Sequence, residues 1–136
     1  MSLCRAGGFA ALILCIGGCS KPPSEKEVVD SITSWIGTGD AASQAWLNHT
    51  TFDKYTKETL ELSAQMLDSQ ADELKQVAPN HSPALDSAVA SSKHAMRVIA
   101  GLVAANDAPD VRTQLDSLRA AKKIVLAAGD SLEKNQ

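Results

Sequence analysis

Cysteine is absent from most of this chain, and aromatic residues are scarce throughout it. The three cysteines are Cys4, Cys15 and Cys19, and aromatic residues make up 4% of the sequence. A domain formed by the residues after Cys19 therefore contains no disulfide and no thiol nucleophile. No segment alternates between apolar and polar residues, which is the pattern of a half-buried strand. These absences exclude a disulfide-stabilised domain and favour a helical one.

The first residues have the pattern of a secretory signal. Arg5 supplies a positive charge, and an apolar run follows over residues 9–16. The run is shorter than the roughly 20 residues that a membrane-spanning helix needs. It ends in Ile16-Gly17-Gly18-Cys19, which resembles the lipobox of bacterial lipoproteins. The resemblance implies cleavage before Cys19 and a diacylglyceryl group on its thiol.

These features divide the chain into three parts. Residues 1–18 are the expected lipoprotein signal peptide, residues 19–23 a lipidated tether, and residues 24–136 a single domain. By the same resemblance, Ser20 after the cysteine implies a place in the outer membrane, with the domain facing the periplasm. Five tether residues reach at most roughly 17 Å when extended. We therefore expect the domain to stay close to its membrane.

The charge of the mature chain is mildly negative. The full sequence has 13 basic and 16 acidic residues, and removal of residues 1–18 removes only Arg5 among them, which leaves a net charge of −4. A negative domain is repelled by the phosphates of nucleic acids. We therefore predict that nucleic acid is not a partner.

Apolar residues recur every three or four positions after residue 24, which predicts helices throughout the domain. The predicted apolar stripes include Phe52, Tyr55 and Leu62 after residue 50, and Ile124 near the end of the chain. Between them, the stripe consists of Leu85, Ala88, Val89, Ser92, Met96, Ile99 and Val103. The expected helices cover residues 24–36, 40–48, about 50–78 and about 82–105, with a final helix over residues 111–132. Helix starts are predicted at Ser24-x-x-Glu27, Thr50-x-x-Asp53 and Ser82-Pro83. Short connections make neighbouring helices antiparallel.

The predicted fold is therefore all-α. It is an up-down antiparallel four-helix bundle whose first helix is broken at residues 37–39, where Gly-Thr-Gly separates the first two helical segments. The alternative is a three-helix bundle with the first segment lying loosely across it.

Histidine positions do not support a metal or haem site. His49 and His81 fall at opposite ends of the longest helix, about 40 Å apart at ~1.5 Å per residue, and His94 lies opposite the apolar stripe of its helix. The sequence has no Cys-x-x-Cys-His motif for haem attachment and no inward Glu-x-x-His pair for di-iron. It also has no Gly-x-Ser-x-Gly nucleophile motif. We therefore predict no cofactor, no metal and no catalytic residue.

Two features predict a protein-binding surface. Trp35, Trp46 and Tyr55 lie close together in the sequence, and tryptophan and tyrosine dominate interface hot spots. Arg119 and Lys123 belong to a locally basic part of the last two helices. The alternatives are that the aromatic rings fix the first helix to the core and that the basic residues pair with acidic ones inside the domain.

The sequence thus predicts a membrane-anchored protein-interaction module that is not an enzyme. Its membrane contact is the lipid on Cys19, and its partner is an envelope protein or a secreted protein. In architecture it resembles the pilotins that escort secretion complexes, and an immunity-type inhibitor of a toxin fits the same features. The alternative function is a carrier that holds a small ligand, haem or metal between its helices.

Overall fold

The computed structural model describes residues 21–134, and four long helices make up most of that range. Helices that follow each other along the chain pack side by side, and the last also packs against the first. The helices are α1 (Glu25–Leu47), α2 (Asp53–Val77), α3 (Pro83–Ala104) and α4 (Ala108–Lys134). The predicted four-helix bundle is confirmed, and the three-helix alternative is wrong because α1 packs along both α2 and α4. The predicted signal peptide and Cys19 lie outside the described residues.

The first helix is not broken, which corrects one detail of the prediction. α1 continues through Gly37 and Gly39 without interruption. A methyl group on Gly39 would lie 2.6 Å from Cε of Met96 on α3, so the missing side chain allows the two helices to approach each other. Ser43 also donates a hydrogen bond to the Gly39 carbonyl at 2.8 Å. Close packing against Met96 therefore offsets, at Gly39, the roughly 1 kcal/mol by which a glycine weakens a helix.

Two of the three predicted helix starts are confirmed. Ser24 and Glu27 form a reciprocal capping box, in which the Ser24 amide donates to Glu27 at 2.6 Å. Ser82 accepts a hydrogen bond from the amide of Ala84, and Pro83 occupies the first helical position. These local signals depend only on neighbours in the sequence, and the structure reproduces both.

The predicted cap at Thr50 is wrong. α2 is preceded by Phe52, whose side chain makes no capping hydrogen bond. The Thr50 hydroxyl instead donates to the carbonyl of Ala45 at 2.9 Å and so completes the end of α1. His49 takes a positive φ of 56° at this chain reversal, and its amide donates to Trp46. Thr50 therefore ends one helix rather than starting the next.

The core forms one continuous cluster that includes side chains from all four helices. The stripe predicted for α3 is confirmed at every position: Leu85, Ala88, Val89, Ser92, Met96, Ile99 and Val103 are all buried. Four residues predicted on apolar stripes are exposed instead: Phe52, Tyr55, Leu62 and Ile124. The interior is thus largely aliphatic, and several large apolar side chains remain outside it.

Candidate interaction surface

The most exposed large apolar side chains lie where α1 passes into α2. Phe52 has 84% of its surface exposed and Tyr55 has 62%. Phe52 directly precedes α2 and Tyr55 lies in its first turn, so both rings are exposed near the start of that helix. Adjacent water-exposed rings of this size are typical of contact sites.

Beside Tyr55, a shallow groove of about 340 Å³ runs between α1 and α2. Its lining consists of small alanine and threonine side chains, together with the larger ring of Tyr55. The lining residues are Thr38, Ala41, Ala42, Ala45, Tyr55 and Thr59. We call Phe52 together with this groove the aromatic surface. A protruding apolar side chain of a partner would fit against small residues flanked by rings.

Trp46 lies inside the bundle, where it supports this surface but cannot form part of it. Only 6% of its surface is exposed. Its indole Nε1–H donates a hydrogen bond of 2.7 Å to Oδ1 of Asp53, the first residue of α2. The bond ties the end of α1 to the start of α2 between Phe52 and Tyr55. The structure therefore changes the predicted role of Trp46 from a contact residue to a buried residue that holds the end of α1 against the start of α2.

The remaining aromatic residue predicted as a contact, Trp35, is half-buried and packs against the core. It precedes Thr38, the first groove residue on α1, and does not line the groove itself. Of the three predicted aromatic contacts, the structure therefore leaves Tyr55 on the surface and brings Phe52 beside it.

The basic side chains of α3 pair with an acidic residue of the neighbouring helix. Lys93 and Arg97 both bind the carboxylate of Asp68 on α2. The hydrogen bond from Lys93 and the charge of Arg97 lower the pKa of the Asp68 carboxyl. Charge pairing between α2 and α3 thus occupies part of the predicted basic face.

On α4, Arg119 and Lys123 differ in their availability. Arg119 donates to Oδ1 of Asp40 and to Oε1 of Gln44, both at 3.0 Å, which joins α4 to α1. The side chain of Lys123 is exposed and has no salt-bridge partner within the part of the chain that the structure describes. Lys123 is therefore accessible to a partner, whereas Arg119 must first leave Asp40. The aromatic surface does not include either residue.

The histidines take three different roles. His94 is exposed, as its position opposite the core stripe predicts. The His81 side chain is only 4% exposed, and its two ring nitrogens lie 2.6 Å from the Ala78 carbonyl and 2.7 Å from Asp86. The contact with Asp86, together with that to Ala78, raises the pKa of His81. His49 forms the chain reversal after α1.

Within residues 21–134, no group of three potential ligands is placed to hold a metal ion.

Sequence reasoning did not predict the alanine groove, and it placed Phe52 and Tyr55 on the apolar side of α2, although the register of α2 argues against this for Tyr55. The buried stripe of α2 includes Leu60 and, four residues earlier, Thr56. Tyr55 does not lie on this stripe. The register of α2 therefore places Tyr55 beside the core stripe and not on it. Trp46 lies on the buried stripe of α1, seven residues after the buried Gly39, but this register is lost if the helix is taken to break at residues 37–39.

Over residues 21–134, none of the helices combines the length and the apolar character needed to cross a membrane. Comparison of the chain with protein-family models, with curated proteins and with solved structures finds no match.

Proposed function

We propose that this chain is a lipoprotein of the cell envelope whose helical domain binds another protein and has no catalytic role. The lipid on Cys19 anchors it to the outer membrane, and the domain faces the periplasm. The observation that carries the binding role is the exposure of Phe52 and Tyr55 beside the alanine groove, on a domain whose two tryptophans are at least partly buried.

The position of the aromatic surface suits a partner in the periplasm. α1 begins just after the tether and has 23 residues, which makes it about 35 Å long. Phe52 follows the far end of α1, so it lies at the end of the bundle opposite the start of α1, where the proposed tether joins. A protein that approaches from the periplasm can reach this end without contacting the bilayer.

The surface is also held rigidly, which favours affinity. Trp46 and Asp53 join the two helices on either side of Phe52. Thr50 bonds back to Ala45 within the same connection. A contact site that is already ordered loses less conformational entropy on binding. Such a surface fits an escort of an envelope complex (a pilotin-like adaptor) or an immunity-type inhibitor of a secreted toxin.

The binding role can be tested by photocrosslinking in the bacterium that makes the protein. Phe52 or Tyr55 is replaced, one at a time, by a photoreactive phenylalanine in the full-length chain. We expect one dominant adduct with an envelope or secreted protein, and its identity distinguishes adaptor from inhibitor. When one of the two positions carries the photoreactive residue, alanine at the other should lower the affinity for that protein at least about tenfold, because aromatic anchors contribute about 2 kcal/mol.

The matched control carries the photoreactive residue at Gln65, which is exposed on the same helix. It should give little of the same adduct. Equal adduct yields at positions 52 and 65 would count against the aromatic surface as the binding site.

The anchor is tested separately by metabolic labelling with a palmitate analogue. Cys19→Ser should abolish the label, whereas Cys15→Ser should keep it, because Leu14 is too large for the position before a lipidated cysteine. Unchanged labelling of the Cys19→Ser protein would reject the lipoprotein assignment and leave the binding test intact.

A further inference from the structure

A second apolar groove lies at the opposite end of the bundle, where α1 begins. It has a volume of about 370 Å³ and is formed by the first residues of α1 and α3 and the last turns of α4. Its apolar lining consists of Ala84, Leu85, Ile124, Ala127, Ala128 and Leu132. We call this feature the tether-side groove.

One apolar side chain of this lining is largely exposed to water. Ile124 has 46% of its surface in contact with water, although the apolar pattern of α4 predicts it to be buried. Leu132 is half-buried and packs against the core from the same side. An open wall of aliphatic side chains is suited to a flexible hydrocarbon, since burial of apolar area is favourable without requiring directional contacts.

The tether-side groove lies within reach of the proposed lipid. Glu25, the first residue of α1, is part of its lining. Cys19 precedes Glu25 by six residues, which span at most roughly 20 Å when extended. An acyl chain on Cys19 is therefore close enough to reach the groove.

Charge also favours this occupant. Glu25 is the one charged residue among those that line the groove. A carboxylate repels free fatty acids and anionic lipid headgroups, which carry the same charge. A diacylglyceryl thioether has no charge, so its chains can lie beside Glu25 without this repulsion.

We propose that the tether-side groove holds one acyl chain of the lipid on Cys19. The inference rests on the proposed lipidation of Cys19. An acyl chain in the groove would fix the start of α1 against the lipid and limit how far the bundle tilts on its short tether. The aromatic surface would then keep a defined direction relative to the bilayer.

The test uses the full-length protein in cells that are fed a palmitate analogue with a photoreactive diazirine in its chain. After irradiation, mass spectrometry locates the crosslinks. We expect intramolecular crosslinks from Cys19 to the peptides that contain Ala84 or residues 124–132. Ala84→Trp fills the groove and should lower the yield of these crosslinks several-fold.

The matched control is Ala90→Trp, which introduces the same side chain at an exposed alanine on the same helix, outside the groove. It should leave the crosslink yield unchanged. Ala127→Trp provides a second groove-filling variant on α4, and far-UV circular dichroism checks that each variant is folded.

The ways in which the test can fail are distinguishable. If the analogue is not incorporated at Cys19, the lipoprotein assignment fails and this inference fails with it. If the label is incorporated but crosslinks only to lipids or to residues 20–24, the anchor stands and the groove proposal is rejected. Crosslinks that persist in both groove-filling variants, or that join two chains, also reject it, the latter in favour of a second copy as the occupant.

Discussion

The buried polar residues of this domain differ in whether their hydroxyl groups are satisfied. Ser43, Thr56, Ser63 and Ser92 are all fully buried. In three of them the hydroxyl donates to the carbonyl four residues earlier, as Ser92 does to Ala88 at 2.8 Å. The hydroxyl of Ser63 has no hydrogen-bond partner among the described residues. A buried polar group without a partner costs about 1–3 kcal/mol.

We therefore expect Ser63→Ala to raise the free energy of unfolding by about 1 kcal/mol, because it removes an unsatisfied hydroxyl without changing the shape of the core. Ser92→Ala is the matched control, since it removes a hydroxyl that is bonded, and it should not stabilise the protein. Urea unfolding at pH 7 measures both. Equal changes in the two variants would contradict this account of Ser63.

His81 links the end of α2 to the start of α3 most fully when its ring is charged. Both of its neighbours, the Ala78 carbonyl and the Asp86 carboxylate, are hydrogen-bond acceptors. A neutral imidazole has one N–H and satisfies one of them, whereas the imidazolium satisfies both. This requirement is consistent with the raised pKa of His81, for which the contact with Asp86 is the largest cause.

Because the folded pKa of His81 is raised, its contribution to stability is complete below the unfolded value of about 6.5 and is lost as pH rises through the folded pKa. We expect His81→Gln to lower stability by about 1 kcal/mol at pH 5.5, the net value of one hydrogen bond, and by less at pH 9. Thermal unfolding across this range measures the difference. His94→Gln, at an exposed position, should show no such pH dependence.

At the scale of a helix, the two central glycines of α1 have different surroundings. A methyl group on Gly37 would meet only the end of the Lys122 side chain, at 3.4 Å. On Gly39 it would lie 2.6 Å from Cε of Met96 and 3.2 Å from its Cγ, and Met96 is fully buried. The same substitution therefore improves helix propensity at both positions but overpacks the core at only one.

Gly37→Ala should stabilise the protein by about 0.5–1 kcal/mol through helix propensity. Gly39→Ala should destabilise it by about 1 kcal/mol, because overpacking typically costs about 1–3 kcal/mol and exceeds the same gain. Chemical unfolding of the two variants side by side checks the opposite signs. Stabilisation by both would show that α1 and α3 can separate without loss.

Whole helices were predictable from sequence where one local rule decides the outcome. The stripe of α3 holds a single register from Leu85 to Val103, and the caps at Ser24 and Ser82 involve only residues of the next turn. The continuity of α1 was not predictable, because the contact that compensates Gly39 comes from Met96, 57 residues later in the sequence.

The candidate site was predictable only in outline. The sequence indicates that aromatic residues cluster near the α1–α2 connection, and Tyr55 is exposed there. It does not separate Trp46 inside the bundle from Phe52 outside it, because both are large apolar residues near helix ends. Trp46 continues the buried stripe of α1 seven residues after Gly39, whereas Phe52 precedes the first turn of α2, so the separation follows only once α1 is known to be continuous.

Across the whole domain, the continuous core implies a single unfolding transition. Both tryptophans lie on α1, whereas circular dichroism reports on all four helices. We expect the midpoints from tryptophan fluorescence and from far-UV circular dichroism to coincide for a chain of residues 24–136, without metal or reductant. A fluorescence midpoint at lower denaturant would mean that α1 detaches before the other three helices unfold.

The even number of antiparallel helices brings the first residue of α1 and the last residues of α4 to the same end of the bundle. In the proposed lipoprotein, a fluorescent reporter or purification tag fused behind α4 would therefore emerge beside the bilayer and compete for space with the tether. The connections at residues 48–52 and 105–107 point the other way. An inserted epitope in the 105–107 connection would be displayed toward the periplasm, and it is the better choice for detecting the protein in intact envelopes.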